Sequence, residues 1–504
     1  MLTLLTSEQT RMADQYTITN EPISSIGLME RASAAFVRLF KERYPDSGKT
    51  ISIYCGTGNN GGDGLVIARL LAAAKYKVHV KIARFSEKAS ADFETSLERL
   101  RQEGIEPVEF NAAATVANDD ADLVIDALLG SGLNKSLEGE WRRLAEQINE
   151  SGKPVIAVDV PTGFRTEGEQ PTGDVVIKSD LTITFQRPAI NFLLPVSADY
   201  ISEFVVADIG LDEAFIQSAD SPYSLLTDAD ISERLKPRLP FSHKGTYGHA
   251  LLIAGAPQTM GAALLCAEAC LFAGAGLTSA CIPEDGLTAL NVRVPEVMAL
   301  IRKEGKLPAQ IAWDKYSAIG AGPGLGNSAE SLGIIEEMLR NYKKPVVFDA
   351  DALNIISENY ELMSLVPEGS VFTPHVKEFD RLFGKHSNWW DRLQTGIDRA
   401  TTLGCTIVLK NRYSIVFTPS GQCLFNPTGT PSMATGGSGD VLTGIITSFV
   451  AQGYSPRNAA ILGVFIHGRS GEEITRQQNA AVLPAAQLIK GISGSIAALT
   501  HHIK

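Results

Sequence analysis

The chain has 504 residues, 44% hydrophobic and 20% charged, which supplies ample material for packed cores and excludes global disorder. At roughly 150 residues per domain, the length fits two large domains or three ordinary ones. A net charge of −12, from 45 basic and 57 acidic residues, argues against a general nucleic-acid binder but leaves room for local phosphate pockets.

The first fifteen residues lack a basic start followed by a long apolar run, so no signal peptide is expected. Apolar stretches such as Gly261–Leu277 are broken by Glu268 and by glycines, so no membrane span is expected either. Thr6 with Gln9 has the capping-box spacing ahead of a first helix, and Ile26, Met29, Ser33, Phe36, Val37 and Phe40 recur at helical spacing in a second. Short strands, apolar on both faces, are predicted at Ile51–Cys55, Val78–Ala83, Leu123–Asp126, Val155–Asp159 and Leu181–Phe185, with helical stretches between them. That alternation predicts a parallel sheet covered on both sides.

The pattern lapses over Leu211–Pro240, a polar, proline-bearing stretch, and a domain boundary is expected near Ser221, giving domains 1–220 and 221–504. A second alternating series follows: Ala250–Ala254, Leu277–Ile282, Ser317–Gly320, Val346–Asp349, Ser370–Thr373, Thr406–Lys410 and Ile415–Thr418. The halves share no repeat, so two different α/β domains are predicted. Six cysteines at 55, 266, 270, 281, 405 and 423 form no CxxC pair and lie mostly in apolar runs; reduced structural thiols in the cytoplasm are the expectation.

In the first half, Gly56, Gly58 and Gly61 satisfy the dinucleotide fingerprint GxGxxG between a strand and a helix. About 23 residues beyond Gly61, where a ribose-binding acid is usual, stands Arg84, which suits a 2′-phosphate. The same loop carries Asn59, Asn60 and Asp63, polar side chains that a plain turn does not need. Asp126 and Asp159 each end an apolar strand, where open α/β sheets bind ligands. Either one alone reads equally well as a helix cap. Asn and Thr oxygens with a single carboxylate suit a monovalent cation better than Zn²⁺.

These motifs (GTGNNGGDGLVIAR, DALLGSG, VDVPTG and LMERAS at Leu28–Ser33) resemble the N-terminal domain of the YjeF family, the NAD(P)H-hydrate epimerases. The resemblance implies a Rossmann-like three-layer αβα domain that interconverts the R and S hydrates of NADH and NADPH. It implies that Asn59, Asn60, Gly61, Gly62 and Asp63, with Gly130, Ser131, Gly132, Leu133, Asn134, Lys135 and Ser136, line the substrate. Asn60, Asp126 and Thr162 bind potassium on that reading, and Asp159 is the candidate acid/base. The family usually has Ser where Thr162 stands, and often a lysine near Ala189.

In the second half, Thr435-Gly436-Gly437-Ser438-Gly439-Asp440 leads into a helix predicted from about Val441. Glycines and a helix N-terminus make an anion site, and Asp440 is placed to take a proton from a hydroxyl; a simple helix cap is the competing reading. Lys410-Asn411-Arg412-Tyr413-Ser414 is a turn that either holds a nucleotide or merely joins two strands. His375 sits at a strand–helix junction, and Gly320–Gly326 and Phe348–Asn354 are further strand ends. GxxxxGK[ST] is absent, which excludes a simple P-loop enzyme, and the protein-kinase motifs are missing too.

In order, SHKGTYGHALLIAG, AGPGLG, DADALN, TPHVKEF, LKNRYS and GGSGD resemble the ADP-dependent NAD(P)H-hydrate dehydratase domain of the same bifunctional family, a ribokinase-like fold, over about residues 230–500. The resemblance implies that Ala256, Gly324, His375 and Asp440 contact the hydrate. Lys410 to Ser414 and Gly439 then contact the adenine nucleotide, with Asn411 and Ser414 replacing the family's usual glycine and threonine. The expected partners are small molecules only (the NADH and NADPH hydrates, and ADP with Mg²⁺), with no nucleic acid and no membrane; a homo-oligomer stays open. Two rival readings remain at this stage: a ribokinase-like small-molecule kinase, and a first half that is only a nucleotide-binding module.

Overall fold

The computed structural model describes residues 1–86, 88–113, 120–133 and 135–500. The chain divides into two compact units, one of Leu2–Ser221 with Asn388–Trp390, the other of Met1, Pro222–Ser387 and Asp391–Lys504.

The first unit is built on seven strands: β1 (Thr50–Cys55), β2 (Lys77–Ala83), β3 (Val108–Phe110), β4 (Leu123–Ala127), β5 (Val155–Val158), β6 (Leu181–Phe185) and β7 (Phe204–Ala207). Their order is β3-β2-β1-β4-β5-β6-β7, all parallel. Neighbouring residues on a strand point to opposite faces, and here both faces are dry. Ile53 joins a core with Phe36, Phe40, Leu65 and Phe93, whereas Tyr54 joins one with Phe110, Leu144 and Ile148. Helices therefore cover both sides, and the result is a doubly wound three-layer sandwich. The topological switch falls between β1 and β4, which pair from Ile51–Leu123 to Cys55–Ala127.

Helix α1 (Ser7–Asn20) starts on the predicted capping box: the Thr6 hydroxyl accepts from the Gln9 N–H, and the Gln9 side chain accepts from the Thr6 N–H at 3.0 Å. Helix α2 (Ser25–Arg43) buries Met29, Ser33, Phe36, Val37 and Phe40, as their spacing predicts. Helix α3 (Asn59–Ala73) begins at the switch point, and α4 (Ala91–Gln102) packs beside it. The sheet's two edge strands, β3 and β7, were not predicted. They are short, and each leaves at least one residue exposed, so neither reads as a continuous apolar run.

The second unit contains β8 (Tyr223–Leu225), β9 (His249–Ile253), β10 (Leu277–Pro283), β11 (Met298–Arg302), β12 (Ala318–Ala321), β13 (Val346–Phe348), β14 (Val371–Phe372), β15 (Thr406–Leu409), β16 (Ile415–Phe417) and β17 (Cys423–Phe425). They run in the order β8-β17-β16-β15-β14-β13-β12-β9-β10-β11. Only β16 is antiparallel to its neighbours. Its longest core helices include Met260–Phe272, Pro456–Gln478 and Ser438–Ala451. The last of these is buried at every position from Val441 to Ala451, and a Cβ on its Gly444 would strike the Cys266 carbonyl. This helix starts three residues before the predicted Val441, because Gly437 turns the chain at φ 90° and the glycines can join the first turn.

All six cysteines are free and buried, and burial pushes the Cys270 and Cys281 thiols up to about 12, as inert packing thiols require. No helix among the described residues is long and apolar enough to cross a membrane.

The tight β1–α3 turn rests on two close backbone approaches. A Cβ on Gly56 would strike the Leu128 carbonyl, and one on Gly61 the Gly56 carbonyl, whereas Gly58 has nothing within 4 Å. Gly61→Ala is therefore expected to lower stability by about 1–3 kcal/mol or more, and Gly58→Ala by a few tenths. Denaturant melts of the two variants check this; equal effects would contradict the steric argument.

Candidate active sites

The first site opens where the sheet of the first unit reverses direction. A cavity of about 630 Å³ lies beyond the carboxyl ends of β1, β4, β5 and β6. Of the predicted residues, Asn59, Asn60, Asp63, Gly130, Ser131, Gly132, Leu133 and Asp159 line it. Gly61 and Gly62 do not; they are buried in the first turn of α3, where a Cβ on Gly62 would meet the Met29 side chain. Lys135 and Ser136 are exposed and outside the lining, and Asn134 lies outside the described residues. Arg84 does not reach the cavity. Glu109 and Glu94 hold its guanidinium at 2.9 and 3.4 Å, so the 2′-phosphate role expected of it is withdrawn. The lining also includes Thr10, Arg11 and Asp14 from α1 and Leu28 and Met29 from α2, none of which strand-end reasoning can find.

Asp159 adopts φ 62°, a left-handed conformation that is rare outside glycine and clusters at functional sites. This turn aims its carboxylate back at β6, where it accepts from the Thr184 hydroxyl at 3.1 Å and the Phe185 N–H at 3.3 Å. Burial raises its pKa, and the two hydrogen bonds only partly oppose that. Burial, and next the charge of Asp159, push Asp63 well above the ordinary range. Burial and Asp159 bring Asp14 up to about 6. Carboxyl groups crowded around one cavity do not ionise independently of one another. The cavity therefore brings together carboxyl groups of raised pKa, the kind of partners that proton shuttling needs.

Behind it, Asp126 and Thr162 are joined directly. Asp126 accepts from the Thr162 N–H and hydroxyl, both at 2.8 Å, and from the Leu128 N–H at 3.2 Å. Burial still raises it to about 6. Neither Asp126 nor Thr162 is a helix cap. Asn60 is 9% exposed, packs beside Gly130, and has a buried side-chain nitrogen without a partner.

In the second unit, Asp440 lies in the first turn of the helix Ser438–Ala451, not at its cap; that position belongs to Gly437, which supplies no side-chain acceptor. The competing cap reading of Asp440 therefore falls. The first-turn N–H groups and the helix dipole are left for an anion. Close by, Asp349 is bound through one oxygen to Lys410 Nζ and through the other to the Thr443 hydroxyl, both at 2.7 Å. A Cβ on Gly439 would lie 3.5 Å from Lys410 Nζ and 3.6 Å from Asp349, which brings the Lys410 and GGSGD motifs together. Burial, then the Asp349 charge, raise Asp440 to about 7, with Lys410 pulling the other way.

Gly324 has φ 58° and its carbonyl accepts from the Thr259 hydroxyl at 2.7 Å, tying it to the loop that bears Ala256. A Cβ on nearby Gly322 would strike the Asp349 carbonyl, so this loop leads to the acidic centre. His375 caps the helix Val376–Phe383: its Nδ1 accepts from the Lys377 and Glu378 N–H groups at 3.0 and 3.3 Å. That fixes the proton on Nε2, and the ring is half exposed. The 410–414 turn is knitted by Asn411, whose Oδ1 accepts from the Tyr413 N–H while Nδ2 is buried without a partner; Arg412 lies over the Tyr413 ring. Ser414 donates to the Asn411 carbonyl. Sequence reasoning assigned no role to Thr443 or to His467, whose Nε2 contacts the Ser438 carbonyl at 2.9 Å and whose pKa burial lowers to about 4. Neither carries a local signal; both are found only by packing.

The family described as "YjeF-related protein N-terminus" matches residues 25–190, and that described as "NAD(P)H-hydrate dehydratase" matches residues 250–493. The chain is 34% identical to a bifunctional NAD(P)H-hydrate repair enzyme of Thermofilum pendens, covering 94% of this chain and 92% of that protein. Its counterpart in Escherichia coli is 33% identical, over 88% of this chain and 84% of that one. Among solved structures, an ADP/ATP-dependent NAD(P)H-hydrate dehydratase of Bacillus subtilis, co-crystallised with ATP and Mg²⁺, is 29% identical with a TM-score of 0.48, over 54% of this chain and 97% of that one.

A carbon-NMR titration of the carboxyl groups should find Asp440 with an apparent pKa of about 7. Asp349→Asn removes a like charge and frees Lys410, so the Asp440 value must fall. An unchanged or raised value would show that Asp349 does not act on it.

Proposed function

The chain belongs to the family of bifunctional NAD(P)H-hydrate repair enzymes, which pair an epimerase domain with an ADP/ATP-dependent dehydratase domain, and we propose which residues carry each reaction. The full-length relationship sets aside both a lone small-molecule kinase and a non-enzymatic first half.

Hydrated NADH and NADPH carry a hydroxyl at C6 of the nicotinamide ring, next to the ring nitrogen. In the second unit, Asp440 takes the proton from that hydroxyl as it attacks the terminal phosphoryl group of ADP or ATP. The N–H groups of Ser438, Gly439 and Asp440 hold the phosphoryl oxygens in flight. Phosphate then leaves from C6, pushed by the ring nitrogen's lone pair, and loss of a proton from C5 turns the resulting iminium into the reduced cofactor; from ADP the other product is AMP. Ala256, Gly324 and His375 hold the hydrate, with His375 Nε2–H as a donor. The 410–414 turn and Gly439 hold the nucleotide, and Lys410 pairs with Asp349 beside them. Mg²⁺ comes with the phosphates, since it binds through phosphate and water with one or two carboxylates, and no three-ligand cluster of acidic, His or Cys side chains exists among the described residues.

In the first unit, Asp159 is the acid/base for epimerisation at C6, and Asn59, Asp63 and Gly130–Leu133 hold the substrate. Potassium fits Asn60, Asp126 and Thr162. Their side-chain oxygens are donors of low total charge, and among the described residues no Lys or Arg pairs with the buried Asp126. A bound cation supplies positive charge that keeps Asp126 ionised and steadies the adjacent turn. The observation that carries the dehydratase assignment is a carboxyl group poised near 7 on an uncapped, glycine-rich helix start.

Asp440→Ala should reduce dehydration about 10²–10⁴-fold and leave epimerisation intact. In the wild type, dehydration should rise with pH through about 7, because the raised pKa keeps the base protonated below it. Near-normal dehydration by the variant rejects the assignment. Rubidium soaked into crystals should give an anomalous peak between Asn60, Asp126 and Thr162; no peak, with epimerisation indifferent to potassium, removes the cation.

A further inference from the structure

We propose that Asp14 is the second acid–base group of the epimerase, serving the face of the nicotinamide ring opposite Asp159. This rests on reading the cavity of the first unit as the epimerase site. Inversion at C6 requires oxygen to leave from one face and return on the other. A carboxyl group on one side cannot serve both faces unless the ring turns over.

Asp14 enters the cavity from a different wall. Asp159 belongs to the loop after β5 and is braced by β6, whereas Asp14 projects from α1 beside Thr10 and Arg11. The helix cannot roll freely: Ala13 and Thr17 are buried, and the Thr17 hydroxyl donates to the Ala13 carbonyl and accepts from the Asp212 N–H. Among the described residues, no hydrogen bond or ion pair holds the Asp14 carboxyl group; burial and Asp159 are what act on it. Asp63 from α3 and Asp92 from α4 share the cavity, as does Arg11 from the same helix as Asp14. Asp63 accepts from Ser33 and Asp159 from Thr184, so Asp14 is the carboxyl of these three with no donor fixing it.

The step balances with water alone. Protonated Asp14 gives its proton to the C6 hydroxyl, the carbon–oxygen bond breaks, water leaves, and the ring-nitrogen lone pair forms the C6=N1 iminium. Water adds to the other face, its oxygen bonding to C6 as its proton passes to ionised Asp159, and the iminium electrons return to nitrogen. The reverse direction exchanges the two roles.

The test uses the intact chain and hydrates carrying oxygen-18 at C6, with label exchange on the Asp159 face as the control that the first unit is folded. Asp14→Asn should slow epimerisation about 10²–10⁴-fold. Loss of label to water from the hydrate whose hydroxyl faces Asp159 should persist, because departure and return on that face need only Asp159. The pH profile of epimerisation should lose one limb, and Asp14→Glu, which keeps a carboxyl group, should recover part of the rate. Epimerisation by Asp14→Asn at the wild-type rate overturns the proposal. So does a parallel fall of label exchange and epimerisation, which would make Asp14 a structural residue. If instead Asp159→Asn changes neither, the reading of the cavity itself fails, whatever Asp14 does.

Discussion

An ionised carboxylate buried without a cation beside it is costly, by several kcal/mol per ion even after relaxation. Both units are arranged around that constraint. Asp349 is offset by Lys410 and the Thr443 hydroxyl, and its charge then raises its neighbour Asp440. Asp159 receives two hydrogen bonds but no cation, and its charge raises Asp63 and Asp14. In each case one acid is held in place and the groups near it are left poised between protonation states. The proton chemistry follows from where countercharge is supplied and where it is withheld.

The parallel sheets make such centres affordable. Strand ends deliver several backbone turns to one crevice, and helix starts deliver N–H groups to the same place. Gly56, Gly61 and Gly322 let carbonyls and turns approach more closely than any side chain allows, so the polar groups converge without swelling the core. The cavity of the first unit and the acidic centre of the second are both such convergences.

Much of this was legible in the sequence. Strands such as Leu123–Ala127 and Val155–Val158 are buried on both faces and read as unbroken apolar runs. Asn59, Asn60, Asp63 and Asp159 reach the cavity because glycine spacing placed them at strand ends. What escaped has physical reasons. Val108–Phe110 and Tyr223–Leu225 are too short to show a period, and the Lys410–Asp349 pair spans 61 residues. Asp14 lies on a helix whose other polar residues mostly face solvent, and only packing reveals that it turns inward. Gly61 and Gly62 pack the first turn of α3 against Gly56 and Met29, a packing role that a glycine-rich loop does not announce. Arg84 stood at the right spacing, yet two glutamates hold it elsewhere.

The helix that begins at Ser438 is buried from Val441 to Ala451, so the amide cradle and the folding core of the second unit are one object. Local opening free energies scale with the apolar contacts that must break. The amides from Val441 onward therefore exchange with solvent only through a large cooperative opening, and the first turn they carry keeps its geometry for as long as the unit stays folded. The turn Gly130–Leu133 in the first unit has no such anchor: Gly132 is exposed and its neighbours are half-buried. Slow amide exchange in the helix behind one crevice and fast exchange in the turn that forms the other is the dynamic signature of this difference. A site built on a buried helix trades adaptability for persistence, and one hung on a turn does the reverse.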